Sequence, residues 1–484
     1  MTFTSLGFLL FFPAVCLVWF CLPARVKPAW LLAASYWFYA CADWRGPFLL
    51  AFTTVWSYAA ARALASPKTR SRRAVLAAAA AVLAGLLALF KYLGFALQSA
   101  AALLGLAGVA FTPPAFSLIL PLGISFYTFQ TIGYLADVYR GTLAPEKNFV
   151  RYALFVSFFP QVVSGPIARG GDLLPQLAQP APFAPDRVRD GLCLMLWGYF
   201  QKLVIADQAA LAVNTVFGDY AVYGGVERLL AAVLYALQIY ADFAGYTAIA
   251  RGAAQVLGFH LAENFRQPYL AQSVREFWGR WHITLSHWLR DYIYIPLGGS
   301  RRGALRRYLN LFATFLLSGL WHGAAWHYVA WGALHAVYQI AGDATAGLRR
   351  RCNFGQGFLA RWARRGFTFA LVTVAWVFFR AGSVRQAVSF LGGIVGWFDP
   401  WVLTDGTLLT LGLDGWGWFV LFCAAALLLA VDCLHARGVR LRAALARQPL
   451  VYRWLVYYAA LAAVLVFGVW GPGYDAASFV YFQF

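Results

Sequence analysis

Charged side chains are scarce in this sequence. Only 12% of its 484 residues are Asp, Glu, Lys or Arg, whereas 62% are hydrophobic. A soluble domain carries about 25% charged residues, so this chain has too few to cover a surface that faces water. The composition therefore excludes an ordinary soluble protein and indicates that lipid surrounds most of the chain.

Acidic residues are the scarcer of the two charged kinds, with 19 Asp and Glu against 39 Lys and Arg, a net charge of +20. In a soluble protein this excess would suggest nucleic-acid binding, but here the basic residues collect between apolar runs, as cytoplasmic loops of membrane proteins do. We therefore predict no nucleic-acid partner. Three spans before the first cluster would place the N-terminus outside the cytoplasm. The four clusters lie at 68–73, 301–307, 349–365 and 437–447.

Several chemical motifs are also missing. The seven Cys are scattered and form no CxxC pair, so we expect neither a disulfide framework nor a zinc cluster. The sequence contains no HExxH, no GxSxG and no GxxxxGK[ST]. These absences argue against a zinc hydrolase of that type, a serine hydrolase with a nucleophile elbow and a nucleotide-driven pump.

The sequence has no long linker, no soluble domain and no convincing internal repeat, so we predict one transmembrane domain over residues 1–484. Residues 1–22 lack a basic n-region and an A-x-A cleavage site, and we expect them to form the first span. Residues 167–190 are rich in Pro and Gly and predict a loop on the membrane surface.

The chain does contain many apolar runs of about 20 residues, the length of a membrane helix. They are continuous and rich in Leu and Ala, which favours helices over the alternating strands of an outer-membrane barrel. We predict an all-α integral membrane protein with roughly eleven spans. The clearest runs lie near 3–22, 46–64, 74–93, 150–166, 226–245, 308–343, 366–380, 416–435 and 453–470.

Charged residues inside or beside these runs are candidates for function, because a charge within a bilayer is costly. The alternative for each is a structural ion pair, or a long side chain that reaches the membrane surface. The candidates are Lys91, Asp137, Lys202, Asp207, Asp242 and Arg251.

Histidine is more informative, since five of the seven lie between residues 282 and 335. A neutral imidazole can take up and return a proton, as acyl transfer from a thioester to a hydroxyl requires. His322 stands in SGLWHGAAWHYVAWG, residues 318–332, where we expect Gly319 and Gly323 to let the backbone approach closely and to leave room for a ligand. The alternative is a structural imidazole packed in the core.

His282 stands in REFWGRWHITLSHWLRDYIYIPLGGS, residues 275–300, which mixes Trp with Arg and suits a membrane interface or a pore wall. A surface helix with no catalytic part is the alternative. His287 follows His282 by five residues, as His327 follows His322. In a helix each pair would lie about 140° apart. A helical zinc pair needs a spacing of four, so we predict no metal site.

The two histidine segments resemble the signature of the membrane-bound O-acyltransferase (MBOAT) family, and within it the branch that acetylates exported polysaccharides such as alginate. The resemblance extends in order over nearly the whole chain. Its further stretches are LPLGISFYTFQTIGYLADVYRG (120–141), FFPQVVSGPIAR (158–169), LWGYFQKLVIAD (196–207), IYADFAGYTAIARGAAQVLGF (239–259), ENFRQPYLA (263–271), WVFFRA (376–381) and the terminal FVYFQF.

The resemblance implies an MBOAT-type ring of tilted transmembrane helices, with re-entrant and surface helices, around a central pore. His322 matches the invariant histidine of the family and His282 its second conserved polar position, so both are expected to be catalytic. We expect the His322 ring to face a water-filled path that both leaflets can feed. His287, His327 and Ser300 depart from the family pattern. This departure affects the expected identity of the acyl acceptor and leaves the expected acyl-transfer chemistry unchanged. The expected pore and substrate residues are Trp281, Trp321, Trp326, Asp242, Arg290 and Asp291.

The resemblance further implies acetyl-CoA as the acyl donor, with Arg301 and Arg302 as candidates to hold its phosphates, and no permanently bound cofactor. It implies a bacterial inner-membrane location and a periplasmic partner of the SGNH-hydrolase type, which would carry the acetyl group onward to an alginate-like exopolysaccharide. Two alternatives remain open. One is a D-alanyl transferase to teichoic acid, which takes its acyl group from a carrier protein; the other is a transporter with no covalent chemistry.

Overall fold

The computed structural model describes residues 1–114, 120–163, 165–347 and 357–470. These residues form helices, and no β-strand occurs among them, so the predicted all-α class is confirmed. They cluster into two compact units, Met1–Leu192 with Ala250–Ala262, and Cys193–Ile249 with Glu263–Phe484. Part of the third basic cluster, at 349–351, and the terminal FVYFQF lie outside the described residues.

The first unit consists mainly of consecutive helices. A π-helix, Ala88–Tyr92, joins the fourth to the fifth. The helices of this unit are α1 (Leu6–Cys21), α2 (Lys27–Ala40), α3 (Gly46–Leu64), α4 (Arg72–Leu87), α5 (Leu93–Leu106), α6 (Ile124–Arg140), α7 (Phe149–Ser157), α8 (Phe159–Val162) and α9 (Gly170–Ala178). Helix α10 (Pro185–Tyr199) begins in this unit and ends in the second, whereas α12 (Gly225–Leu257) begins in the second and ends in the first.

The second unit carries the two histidine segments. Its π-helices are Phe200–Ala206 and Arg290–Tyr294, and its 3-10 turns are Pro268–Leu270, Pro400–Leu403 and Thr407–Thr410. Its α-helices are α11 (Asp207–Gly218), α13 (Val274–Trp278), α14 (Ile283–Leu289), α15 (Gly303–His322), α16 (Trp326–Ala344), α17 (Phe358–Arg380), α18 (Val384–Gly396), α19 (Gly415–Ala436), α20 (Leu441–Ala446) and α21 (Leu450–Phe467).

Capping side chains decide where several helices begin. The Ser71 hydroxyl accepts a hydrogen bond from the Ala74 N–H at 3.3 Å at the start of α4. The Asn148 side chain accepts one from the Arg151 N–H at 3.0 Å at the start of α7. Such caps satisfy N–H groups that have no partner within the helix, so they fix boundaries that apolar composition leaves open.

Membrane-spanning candidates are present. Four helical segments among the described residues are long and apolar enough to cross a membrane. They coincide with predicted runs near 74–93, 226–245, 416–435 and 453–470. The number of roughly eleven spans and the ring around a pore stay predictions. The four segments are Arg72–Leu106, Gly225–Leu257, Gly415–Ala436 and Leu450–Phe467.

Two predicted segments differ from the structure. The run near 150–166 is broken at Phe158, where φ is −49° and ψ is 110°, so α7 and α8 are separate short helices. The stretch 167–190 was predicted to be a loop, but residues 170–178 form α9. This prediction is wrong because Leu173, Leu174 and Leu177 share one face of that helix and are buried, so packing outweighs the local Pro and Gly content.

Glycines bring α10 and α12 into close contact. A Cβ atom added at Gly198 would lie 2.6 Å from the Gly245 carbonyl oxygen, and one added at Gly245 would lie 2.7 Å from the Gly198 oxygen. Small residues on both helices allow this backbone approach, as is common between membrane helices. The contact places the π-helix Phe200–Ala206 beside the middle of α12.

Three of the candidate charges meet at that place. The Lys202 ammonium lies 2.7 Å from an Asp207 carboxylate oxygen and 2.9 Å from an Asp242 carboxylate oxygen. The Lys202 side chain is only 1% exposed. The three residues therefore form a buried ion cluster, which is the arrangement that the structural alternative predicts for charges inside apolar runs.

Replacing Lys202 with Met is expected to destabilise the protein by about 3–5 kcal/mol, because it leaves buried carboxylates without their cation. Thermal unfolding of the purified protein in detergent measures this. Arg189→Met is the matched control, since its partner Asp186 is 88% exposed, and an exposed pair contributes little. Equal melting temperatures for Lys202→Met and the parent would contradict a structural role for the cluster.

Candidate active site

His322 lies at the end of a tightly packed helical hairpin. A Cβ atom added at Gly319 of α15 would lie 2.2 Å from the Tyr328 carbonyl oxygen, and one added at Gly332 of α16 would lie 2.3 Å from the Phe315 carbonyl oxygen. Only glycine permits this separation of the two backbones. Helix α15 ends at His322, so the hairpin fixes the position of its Cα atom.

Gly323 follows His322 with an extended backbone, at φ −163° and ψ 149°. A Cβ atom added there would lie 2.0 Å from the Tyr328 ring. The expected close backbone approach is confirmed at Gly319, whereas Tyr328 occupies the space beside both glycines, so the expected room for a ligand is not present there. These glycines serve close packing, which holds the His322 backbone in place.

Aromatic rings surround the His322 imidazole. Its ring centroid lies 4.8 Å from that of Trp321, 5.0 Å from that of Trp331 and 5.3 Å from that of Phe379. The three rings stand nearly perpendicular to the imidazole, at 80°, 88° and 73°. This edge-to-face packing restricts the imidazole to one orientation.

His282 is the second imidazole of the site. Its ring centroid lies 6.5 Å from that of His322 and 5.8 Å from that of Trp321. Phe243 of α12 packs edge-on against it at 4.8 Å. The two histidines are 40 residues apart in sequence, and the structure brings them together beside Trp321 of α15.

Both imidazoles are closed off from solvent. His322 is 2% exposed and His282 is completely buried. The expected water-filled path beside His322 is therefore not open in this structure, because aromatic side chains pack directly against the ring. Catalytic contacts often form only in the substrate complex.

The protonation of His282 follows from its surroundings. The residue lies between α13 and α14, outside the candidate spans. Complete burial lowers the pKa of its imidazole to about 3, because the charged form loses its hydration. At neutral pH the ring is uncharged and has one N–H donor and one acceptor nitrogen. It is a weak base there, and it suits a hydrogen bond to a carbonyl oxygen.

Most of the other expected site residues pack against other rings or form ion pairs, and the rest are exposed. The Trp281 ring packs against Phe277 and Trp376 at 5.5 and 4.9 Å. Arg290 pairs with its neighbour Asp291 at 2.7 Å. Asp242 belongs to the ion cluster with Lys202, Trp326 is 59% exposed at the start of α16, and Arg301 and Arg302 are exposed.

Sequence reasoning did not single out the walls of the site. Trp331, Phe379 and Phe243 all contact a candidate catalytic imidazole. Each lies in a stretch that carries the family resemblance, which is the signal that could have identified them. No sequence spacing, however, shows which aromatic residues of those stretches face His322.

Two further histidines have structural hydrogen bonds. His335 Nδ1 accepts one from the Trp278 indole N–H at 3.2 Å, and His327 Nδ1 lies 3.0 Å from the Phe378 carbonyl oxygen. Within the described ranges, no group of three or more His, Cys, Asp or Glu is arranged to hold a metal ion.

Comparison with known proteins defines the class. Residues 146–383, which include both imidazoles, match the family model for membrane-bound O-acyltransferases. A probable alginate O-acetylase of Pseudomonas putida is 38% identical over 84% of this chain and 82% of its own length. A peptidoglycan O-acetyltransferase of Helicobacter pylori is 33% identical over 81% and 79%. A teichoic acid D-alanyltransferase of Bacillus subtilis is 31% identical over 46% and 59%.

The matches to the alginate O-acetylase and the peptidoglycan O-acetyltransferase each cover more than four fifths of the chain, and the chain belongs to the membrane-bound O-acyltransferase family. It is an O-acyltransferase of the membrane.

Proposed function

We propose that this enzyme moves an acetyl group from cytoplasmic acetyl-CoA to the extracytoplasmic side of the bacterial inner membrane, for O-acetylation of an alginate-like exopolysaccharide. The observation that carries the proposal is the facing pair His282 and His322, whose rings lie 6.5 Å apart in an aromatic enclosure. The length of the similarity to an alginate O-acetylase, 84% of the chain, supports the choice of acetyl group and polysaccharide.

His322 is assigned the proton transfer. One imidazole nitrogen takes the proton from the acceptor hydroxyl as the hydroxyl oxygen attacks the thioester carbonyl carbon. The tetrahedral intermediate then collapses, the C–S bond breaks, and the same proton returns to sulfur, so that CoA leaves as the thiol. A positioned base of this kind contributes about 10²- to 10⁴-fold in rate.

His282 is assigned the carbonyl oxygen of the thioester. A neutral imidazole donates through its single N–H, and burial strengthens that hydrogen bond as negative charge develops on the oxygen. The two histidines are thus assigned different tasks. Trp321 contacts both rings and would separate the acyl chain from bulk water.

The donor is proposed to approach from the cytoplasm, where Arg301 and Arg302 would contact the CoA phosphates. Trp281, Trp326, Asp242, Arg290 and Asp291 remain proposed pore residues, within a ring of roughly eleven spans and with the N-terminus outside. A polymer is too bulky for a pore between helices. A periplasmic SGNH-type partner is therefore proposed to pass the acetyl group on.

Mass analysis of exported polysaccharide from cells with and without this protein tests the proposal. O-acetyl esters are expected only in cells that contain it. Purified protein is expected to release free CoA from acetyl-CoA. D-Alanyl esters on an anionic polymer, formed from a carrier-bound donor, would instead favour the alternative suggested by the teichoic acid D-alanyltransferase. Substrate flux without CoA release would favour a transporter.

A further inference from the structure

The backbone at His282 is strained. Its φ is 42° and its ψ is 54°, in the left-handed region. Among the described non-glycine residues, only His282 and Gln267 have positive φ. Such a conformation is unfavourable for a residue other than glycine and persists only where the surroundings enforce it. The structure must therefore contain contacts that hold His282 in this state.

His282 is also the residue before α14, the N-cap position. Its side chain makes no capping hydrogen bond to the helix. The first N–H groups of any helix have no partner within it, and Ser, Thr, Asp or Asn at the N-cap usually accepts from them. An imidazole used in this way could not also face His322.

Asn264, which is completely buried, supplies the missing acceptors from a distant part of the chain. Its backbone carbonyl oxygen accepts a hydrogen bond from the Ile283 N–H at 3.0 Å. Its side-chain oxygen accepts from the Thr284 hydroxyl at 2.6 Å and from the Thr284 N–H at 3.4 Å. Asn264 thus caps α14 in place of the residue that occupies the N-cap.

The chain before His282 is held by the same segment. The Arg266 N–H donates to the Arg280 carbonyl oxygen at 3.0 Å, and the Arg280 guanidinium donates to the Gln267 carbonyl oxygen at 3.2 Å. Hydrogen bonds from residues 264–267 therefore flank His282 on both sides. They leave its backbone little freedom to relax from the left-handed region.

We propose that Asn264 is a positioning residue of the acyl-transfer site. By capping α14 from outside, it holds the left-handed backbone at His282, so that the imidazole is not used as the cap and lies beside His322. This inference rests on the proposed role of His282, and it adds a residue outside the two histidine segments to the catalytic apparatus. Asn264 acts through His282 and needs no contact with the substrate.

Steady-state kinetics of CoA release from acetyl-CoA tests this role. Asn264→Ala is expected to lower kcat by about 10- to 100-fold, since a displacement of about 1 Å costs up to 10²-fold. The KM for acetyl-CoA is expected to stay within about twofold. A lower melting temperature with an unchanged kcat at a temperature where the variant is folded would overturn the proposal.

Thr284 provides a milder test in case Asn264→Ala does not fold. Thr284→Val removes the hydroxyl donor and keeps the shape, and is expected to lower kcat by about 2- to 10-fold, the value of one hydrogen bond. Thr284→Ser keeps the hydroxyl and should restore kcat. The double variant Asn264→Ala/Thr284→Val should be no slower than Asn264→Ala, because both changes remove the same contact.

Thr54→Val is the matched control, because the buried Thr54 hydroxyl donates to the Leu50 carbonyl oxygen within α3 at 2.7 Å. This variant should leave kcat unchanged.

His282→Ala distinguishes a failure of the proposed role of His282 from a failure of the proposed role of Asn264. If His282→Ala retains full kcat, the proposed function of His282 fails. If His282→Ala is inactive while Asn264→Ala and Thr284→Val retain full kcat, only the positioning role of Asn264 is overturned.

Discussion

Replacing His322 with alanine is expected to reduce acyl transfer by about 10²- to 10⁴-fold, the usual contribution of a positioned general base. The variant should still insert into the membrane, because a hairpin of glycine contacts, rather than the imidazole, holds the end of α15. CoA release by purified protein and O-acetylation of the exported polysaccharide measure the loss. His322→Gln fills more of the enclosure and should be equally inactive.

The control for this prediction is His260→Ala, which removes an exposed imidazole in the other unit and should leave both activities unchanged. Melting temperatures in detergent show whether each variant is folded. Normal polysaccharide acetylation by folded His322→Ala would refute the role of His322 as the base. The proposed mechanism would then have to be abandoned, although membership of the family would not be affected.

Replacing Gly319 with alanine is expected to destabilise the protein by about 3 kcal/mol and to lower activity with it, since overpacking a tight contact costs about 1–3 kcal/mol and occasionally more. The added methyl group would lie 2.2 Å from the Tyr328 carbonyl oxygen, a backbone atom that cannot rotate away. The α15–α16 hairpin must open to accept it, which displaces His322. Thermal unfolding and kcat of the same preparation measure both effects.

Gly342→Ala is the matched control within the same hairpin. Gly342 lies in α16, and an added Cβ atom would meet nothing within 4 Å. Alanine in a helix interior is favoured over glycine by about 0.5–1 kcal/mol, so this variant should be as stable as the parent or more so. If Gly319→Ala is as stable as Gly342→Ala, the close contact between α15 and α16 does not determine the position of His322.

The candidate site could be located from the sequence only in part. His282 and His322 stand in segments whose residue order resembles a known family, and the structure places their rings near each other. Trp321 was also expected at the site and contacts both rings. Trp331 and Phe243 were not identified, because ring contacts depend on how α12, α15 and α16 pack, and no local pattern encodes that packing.

One prediction failed in part and another failed entirely, for reasons that are also physical. Gly319 and Gly323 look like space for a ligand when only the residue type is known, whereas the structure fills that space with Tyr328. Residues 170–178 look like a loop from their Pro and Gly content, but they form a helix that buries leucines. In the first case a residue of the following helix fills the space, and in the second a buried face outweighs the local preference.

The sequence by itself determined the solvent, the class and the chemistry of this protein. The apolar and charged content of a chain does not depend on how the chain folds. A lipid environment and a helical structure could therefore be inferred from composition and from the length of the apolar runs. Only the tertiary structure decided which groups meet: Lys202 with two carboxylates, and Asn264 with the first turn of α14. These contacts join residues up to 40 positions apart in sequence, and their energies depend on burial and distance, which exist only in the folded chain.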